Sequence, residues 1–460
     1  MSAKDGGDRP LRTVADEFRD SDSRLNQLTH EIAIVGAGAA GLATAIFARR
    51  LNPSHSIVLI DSAAKPGAKI LVSGGSRCNV TNVAVSERDF NGGNPAVIRR
   101  ILKAFPPNEV VDWFRSLGVA LHEEAHGKLF PDSNRSRDVL NALLEECRAS
   151  GVDLLTGRRV GKLSLPDTGS RAPDPGTGHS PFTLHTTGGQ LHAQAVVMAT
   201  GGLSLPKSGS DGHGLSIAES LGHTIVPTTP ALVPLLAPAD GSTYQALSGI
   251  SHDSELTLWI DGSVAHRLRG SLLWTHFGLS GPVVLDMSRH WLRARLEGRE
   301  VRLTINLAGD KSFDTLETEW MTRIAARPRT SLHGLLADTI PAAVAAAILQ
   351  RTRLDPALQV ANLPRLDRRR LIHAMVEWPV TITDSRGYNF AEATAGGVAL
   401  DEIDPSTMES RRCRGLYLVG EMLDVDGRIG GFNFQWAWAS ARVAARALAA
   451  SVGGPRQFQR

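Results

Sequence analysis

Ile32-Ala-Ile-Val-Gly-Ala-Gly-Ala-Ala-Gly41 is an apolar run ending in three glycines, and 25 positions after Gly36 a second apolar run, Ile57-Val-Leu-Ile60, is closed by Asp61. A strand, a glycine-rich turn, a helix through Leu42 to Arg50 and a second strand ending in an acid make a dinucleotide-binding fingerprint. Gly36 permits the tight turn, Gly38 lets the backbone approach a pyrophosphate, and Gly41 lets helix and strand pack closely. The pyrophosphate then lies at the positive end of the helix. Asp61 can accept hydrogen bonds from both ribose hydroxyls and would repel a 2′-phosphate, which favours FAD or NAD over NADP. The competing reading is a membrane span, because Ile32 to Ala48 holds 17 residues with Thr44 as the sole polar side chain. That run is short against the ~20 residues a span needs, carries three glycines, and leads through Arg49-Arg50 into another strand.

Composition narrows the rest. A chain of 460 residues has room for two or three domains with full cores. Net charge +3, spread evenly, gives no case for nucleic acid as a partner, and no window is apolar enough for a membrane. Cys78, Cys147 and Cys413 are odd in number and far apart, which excludes a disulfide framework, a metal cluster and a Cys-x-x-Cys redox pair. Residues 1–29 are polar, with no signal-like apolar stretch, and read as a disordered tail on a cytoplasmic protein.

Further along, Pro95 to Phe105, Asn108 to Leu117 and Asp138 to Ser150 carry helical spacing. Leu154 to Thr156, Phe182 to Thr186 and Ala195 to Ala199 read as strands, with Ser164 to Ser180 a Pro/Gly-rich surface loop. Two buried strands end in small-residue turns: Ala195-Val-Val-Met-Ala-Thr-Gly-Gly202 and Gly415-Leu-Tyr-Leu-Val-Gly-Glu421. Ligands bind at such carboxyl ends in open α/β sheets. Everything between them from about Thr229 to Ala393 then looks inserted. Leu256 to Trp259 and Val301 to Asn306 alternate like strands, Leu332 to Leu354 and Arg368 to Val376 have helical periodicity, and Val380 to Thr383 returns as a strand.

Two more segments carry chemistry. Lys69 to Asn82 is a glycine-punctuated loop whose Ser73, Gly74, Gly75, Arg77, Cys78, Asn79 and Thr81 suit a cofactor with phosphates and a polar ring edge, unless it is an ordinary surface loop with a solvated Arg. In Gly420 to Ala439 a strand gives way to a glycine-rich loop and then to a helix starting near Asn433. That helix's amides and dipole can face electron-rich atoms of a cofactor ring and ease its reduction.

These pieces together resemble the bacterial BaiN-like and aminoacetone oxidase-like NAD(P)/FAD-dependent oxidoreductases, within the glutathione-reductase-type FAD fold. The matching segments are Val35 to Gly41, Lys69 to Asn82, Ala199 to Gly202, Pro230 to Leu235, Gly278 to Pro282, Ala395 to Val398 and Gly420 to Gln435. Two departures are Ser76, where the family has a third glycine, and Ser440-Ala441, where it has a small-Gly pair. A serine at a position needing positive φ would be strained. The resemblance implies an α/β fold: a Rossmann-type FAD-binding domain (30–228 and 394–460) with an inserted antiparallel β domain (229–312 and 377–393), itself interrupted by a small helical domain (313–376).

It also implies non-covalent FAD held by Gly36, Gly38, Ala39, Ala40, Gly41 and Asp61. Lys69, Ser73, Gly74, Gly75, Arg77, Cys78, Asn79 and Thr81, with Thr200, Gly201 and Gly202, would line the cofactor. The C-terminal block would contribute Gly420, Glu421, Asp424, Gly430, Gly431, Phe432, Asn433 and Gln435. No metal is expected. Candidate catalytic groups are His276 as a proton shuttle, Arg77 as an anchor for an anionic substrate and Cys78 as a redox-active thiol. Each has a structural alternative: an exposed histidine, an Arg with a phosphate or carboxylate partner, a small buried thiol. The expected activity is hydride transfer through the flavin on a small molecule. NAD(P)H would dock transiently as reductant, because no second glycine fingerprint follows a strand. An O2-using oxidase, an RNA-associated flavoprotein and a flavin binder without turnover are the alternatives.

Overall fold

The computed structural model describes residues 29–165, 182–238 and 242–451. The proposed tail therefore lies outside the described residues except for Thr29, and so does nearly all of the loop from Ser164 to Ser180. The chain forms two compact units. It leaves the first at Thr228, builds the second from Thr229 to Thr394, and re-enters the first at Ala395.

Unit 1 is built on a seven-stranded sheet. Its strands are β1 (Thr29–Val35), β2 (Ile57–Ile60), β3 (Asp153–Leu155), β4 (Val160–Ser164), β5 (Phe182–Thr186), β6 (Gly189–Met198) and β7 (Leu416–Leu418). β3, β2, β1, β6 and β7 run parallel in that spatial order. Both faces of such a sheet are covered, so β2 is buried at every position and β1 at its last four. β6 has two different partners on one side: its first half pairs antiparallel with β5, its last residues parallel with β7.

The helices of unit 1 are α1 (Ala39–Leu51), α2 (Ala68–Ser76), α3 (Pro95–Lys103), α4 (Pro107–Ser116), α5 (Ser136–Ala149), α6 (His213–Ser220) and α7 (Phe432–Ser451). α7 packs along α1, and nine consecutive residues of α1, Ala40 to Ala48, are buried. The run Ile32 to Ala48 divides into the end of β1 and the helix α1 packed on α7, which is why its membrane reading fails. No helix among the described residues is long and apolar enough to cross a membrane. Phe47, Phe105, Trp113, Phe114 and Trp438 interlock at centroid separations of 4.6 to 6.0 Å. At roughly 150–250 Å² of buried surface per ring, this cluster anchors the α1–α7 layer.

Unit 2 has its own core and an antiparallel sheet. Its long hairpin, Ser251–Ile260 with Ser263–Thr275, is flanked by Val301–Asn306 and then Trp378–Val380. The return strand thus begins before Val380. Four helices, Phe313–Ala326, Leu332–Ala337, Ala342–Thr352 and Arg365–Val376, fall between those two flanking strands. The single helix read over Leu332 to Leu354 is two, because Pro341 caps the second and cannot continue the first. A further helix, Pro282–Leu296, had no counterpart in the sequence reading.

Candidate functional site

The loops after β1, β6 and β7 and helices α1, α2 and α7 bring the sequence-derived cofactor residues into one part of unit 1. Gly36 has φ +104°, and a Cβ there would stand 2.5 Å from the Ala199 carbonyl oxygen. A Cβ on Gly41 would lie 1.8 Å from the Gly36 carbonyl oxygen. Both glycines are therefore required by backbone packing alone. Gly38 differs: nothing lies within 4 Å of its Cβ position, and it caps α1 with no side-chain hydrogen bond. The N-terminus of α1, with Ala39 and Ala40 in its first turn, has the free backbone donors that suit an anion, and the space beside Gly38 is open.

Asp61, directly after β2, is fixed from both sides: its two carboxylate oxygens accept from the amides of Ala37 and Ala63, each at 2.7 Å. Burial pushes this carboxyl above its usual range, while the two amides pull against that shift. Each oxygen keeps a lone pair for a further donor.

Lys69, on α2, forms an ion pair with Glu421 and donates to Ser204 Oγ at 2.5 Å, and Ser204 Oγ donates to the other Glu421 oxygen at 2.6 Å. Three chain segments are tied together here, and Ser204 was missed in the sequence because an isolated serine after a Gly-Gly turn carries no signal. Gly420 is held in place by α7: its N–H donates to Ser440 Oγ at 3.1 Å and its carbonyl accepts from Trp436 Nε1 at 3.1 Å. Ser440, the departure from the family pattern, thus has a defined partner.

The segment from Lys69 to Asn82 is not a plain loop. It opens with α2, which breaks at Ser73, Gly74 and Gly75. Ser76 sits at φ +67° and Cys78 at φ +63°, so the strain foreseen at Ser76 is present and is doubled. Arg77 pairs with Glu124 at 2.6 Å and lies 4.1 Å over the Phe130 ring, so it has the carboxylate partner that the structural alternative foresaw. Burial pushes the Cys78 thiol up to about 12, which accords with the reading of a small buried thiol.

Thr81 and Gln435 are likewise committed. The Thr81 hydroxyl donates to Gln435 Oε1 at 2.5 Å, and Gln435 Nε2 donates to the Phe105 carbonyl at 2.6 Å. Asn433 uses its side-chain amide twice on Gly427, and α7 starts one residue before it, at Phe432, which is fully buried. These three side chains are spent inside the protein. Gly430 and Gly431 have φ of +132° and +93°, and a Cβ on Gly431 would approach the Thr81 carbonyl to 2.6 Å. The Asp424 carbonyl accepts from Gly93 N–H at 2.8 Å, and the Gly202 carbonyl accepts from Ser210 Oγ at 3.0 Å. Gly201, at φ +73°, packs against that same serine.

Two polar atoms in these segments bear on the fit to a cofactor. Asn79 Oδ1 and Thr200 Oγ1 are buried without a hydrogen-bond partner. Native proteins seldom leave such atoms unpaired, and both belong to segments that the sequence assigns to the cofactor. Together with the open N-terminus of α1, they fit a large polar ligand. Among the described residues no three His, Cys, Asp or Glu side chains gather to hold a metal ion. His276 is exposed and belongs to unit 2, in the turn between the strands Ser263–Thr275 and Gly278–Ser280.

The model of the HI0933-like protein Rossmann domain matches residues 30–447. The chain belongs to this family. It is an oxidoreductase with a Rossmann-type FAD-binding domain. It is 35% identical to the ribosomal RNA dihydrouridine synthase of Escherichia coli, over 91% of this chain and 98% of the relative. It is 31% identical to the 3-dehydro-bile acid delta(4,6)-reductase of Clostridium scindens, over 91% of this chain and 99% of the relative. Among solved structures, the 3-ketosteroid delta1-dehydrogenase of Sterolibacterium denitrificans aligns at a TM-score of 0.46 and 13% identity, covering 92% of this chain and 100% of that one.

Proposed function

We propose that this enzyme is an NAD(P)H-dependent flavin reductase that saturates a ring C=C bond conjugated to a carbonyl. The observation that carries the reading is the pair of buried, unpartnered acceptors, Asn79 Oδ1 and Thr200 Oγ1, in the same unit as the open N-terminus of α1. Two relatives support the choice of reaction. Dihydrouridine is uridine with its ring double bond reduced, and a delta(4,6)-reductase acting on a 3-dehydro bile acid reduces ring double bonds near a ketone. Both acceptors are electron-poor carbons activated by a carbonyl.

FAD, when bound, supplies a hydride acceptor for the nicotinamide and a hydride donor for the β-carbon of the conjugated bond, while the α-carbon takes a proton. The chain's part is to hold and orient. Gly36 to Gly41 would receive the pyrophosphate at the start of α1, and Asp61 would accept from the ribose. Thr200 to Gly202, Asn79 and the backbone of Gly430 and Gly431 would help to hold the cofactor. The Lys69–Ser204–Glu421 tie keeps the surrounding loops in register.

Anaerobic titration with NADH and NADPH tests the reading. The purified protein is expected to be yellow and to release FAD, not FMN, on denaturation. One of the nicotinamides is expected to bleach the flavin, and a cyclic enone to restore its colour under anaerobic conditions. If neither nicotinamide bleaches the flavin while an amine substrate drives oxygen uptake, the enzyme is an oxidase and the proposal fails.

A further inference from the structure

The seven strands of the unit 2 sheet run in the spatial order Trp378–Val380, Val301–Asn306, Ser251–Ile260, Ser263–Thr275, Gly278–Ser280, Leu235–Leu236 and Asp384–Ser385. Laid flat, such a sheet would be roughly 29 Å across, since neighbouring strands lie about 4.8 Å apart. Its two outermost strands are joined by Thr381, Ile382 and Thr383 alone, and the steps from Val380 to Asp384 reach at most ~14 Å. The sheet is therefore curled until its edges approach each other, and the mouths of curled sheets are common places for ligands.

A cavity of about 580 Å³ opens beside this joint. Trp274, Trp291 and Trp378, each 3% exposed or less, make its floor. Tyr244 stands at its side, 5.8 Å from Trp274 between ring centroids, and the exposed Arg351 and Thr381 make its rim. The Arg351 guanidinium lies 5.4 Å from the centre of the Trp378 ring, and no carboxylate among the described residues pairs with it. Arg302, the other cation at the cavity, is taken up by Glu377 at 2.7 Å and by the Trp259 ring. The Tyr244 hydroxyl reaches the Thr381 carbonyl only at 3.5 Å, a long and weak bond. Burial pushes this phenol up to about 12 although the Arg351 charge pulls against the shift, so it remains a donor with a guanidinium nearby.

These features select an occupant. Flat indole and phenol faces suit a planar ring system, and one unpaired guanidinium suits one carboxylate. The volume is that of a small-molecule site, about 300–1,000 Å³, and not of a macromolecular surface. No glycine lines the cavity, so it lacks the clustered backbone donors that hold a phosphate chain. We propose that this cavity is a ligand site for an aromatic carboxylate, whose rings stack on the indoles while its carboxylate accepts from Arg351 and from the Tyr244 hydroxyl. The inference does not rest on the reductase reading: every lining residue belongs to unit 2, and every residue assigned to FAD belongs to unit 1.

The test is isothermal calorimetry of full-length, FAD-loaded protein with naphthoate and with its neutral isostere naphthamide. The wild type is expected to bind the acid about tenfold tighter than the amide. Arg351→Gln is expected to weaken the acid about tenfold, to the level of the amide, and to leave the amide unchanged. Tyr244→Ala removes one aromatic face and is expected to weaken both compounds. Flavin content and melting temperature establish that each variant is folded. No binding of naphthoate by the wild type, equal affinity for acid and amide, or an affinity for the acid undiminished in either variant overturns the proposal. An acid that shifts the flavin absorption band and binds Arg351→Gln as tightly as the wild type sits at the flavin, which overturns it as well.

Discussion

Asp61 accepts one backbone amide on each carboxylate oxygen, so Asn in its place has an acceptor for only one of them. The other amide then faces an NH2 group, and the ribose loses a charged acceptor. Asp61→Asn is expected to weaken FAD binding by about 1.5–3 kcal/mol, measured as the flavin dissociation constant from fluorescence recovery. An unchanged constant would place the ribose elsewhere. At this scale the sequence was readable where a residue type is dictated by backbone, as at Gly36 and Gly41, and at Asp61, which the end of a strand points out. It was unreadable where the role depends on what a side chain meets. Nothing in Arg77 announces Glu124, and nothing in Thr81 announces Gln435, 354 positions away. Sequence spacing carries no record of such long-range partners.

Between elements, the turn after α6 and the segment leading into β7 are joined by a buried polar network. His223 bonds to Glu402 at 2.9 Å and to Ser410 at 2.8 Å, and the Ser410 hydroxyl also accepts from the amides of Arg412 and Cys413. The Ser-His-Glu order resembles a hydrolase triad, but all three residues are buried and the serine oxygen is saturated by backbone donors. Its work is structural. Burial alone would raise the Glu402 carboxyl; the Thr224 amide, the Arg412 guanidinium, the Thr224 hydroxyl and His223 more than reverse this and hold it at about 2. A depressed carboxyl stabilises the fold above its unfolded value of 4.5, and that contribution disappears as pH falls toward 2. Glu402→Gln is expected to cost about 3 kcal/mol near neutral pH, and the gap from wild type should close between about pH 5 and pH 2 in urea titrations. A pH-independent gap would mean that packing, not charge, is what the substitution removes. Elements were legible where periodicity is clean, as in β1, α1 and β2. The strand Ser263–Thr275 escaped notice because His266, Arg267 and Arg269 interrupt its apolar alternation, and α2 because Gly74-Gly75 masks the helix before its break.

At the level of the whole chain, the two units bury separate cores. Every residue proposed to hold FAD lies in unit 1. Calorimetry is therefore expected to resolve two transitions, with added FAD raising one and leaving the other in place, since a ligand stabilises only the structure that binds it. A single transition that moves as a whole would show the units unfolding as one. The discontinuous architecture could be read from the sequence because β6 and β7 share a signature, a buried strand with a small-residue end, on either side of a long stretch with different periodicities. The exact crossings, at Thr228 and Thr394, carry no marker of their own.

The divided pairing of β6 sets an order of events during synthesis. Its first half meets β5 and its second half meets β1 as soon as β6 leaves the ribosome, but the last residues must wait for β7. All of unit 2 is translated in that interval, on the order of tens of seconds at ordinary elongation rates. During it, the far side of Val196 to Met198 is an open strand edge, and α1 lacks α7. The flavin pocket is thus among the last things the chain completes, so ribosome-bound fragments ending before α7 should be colourless.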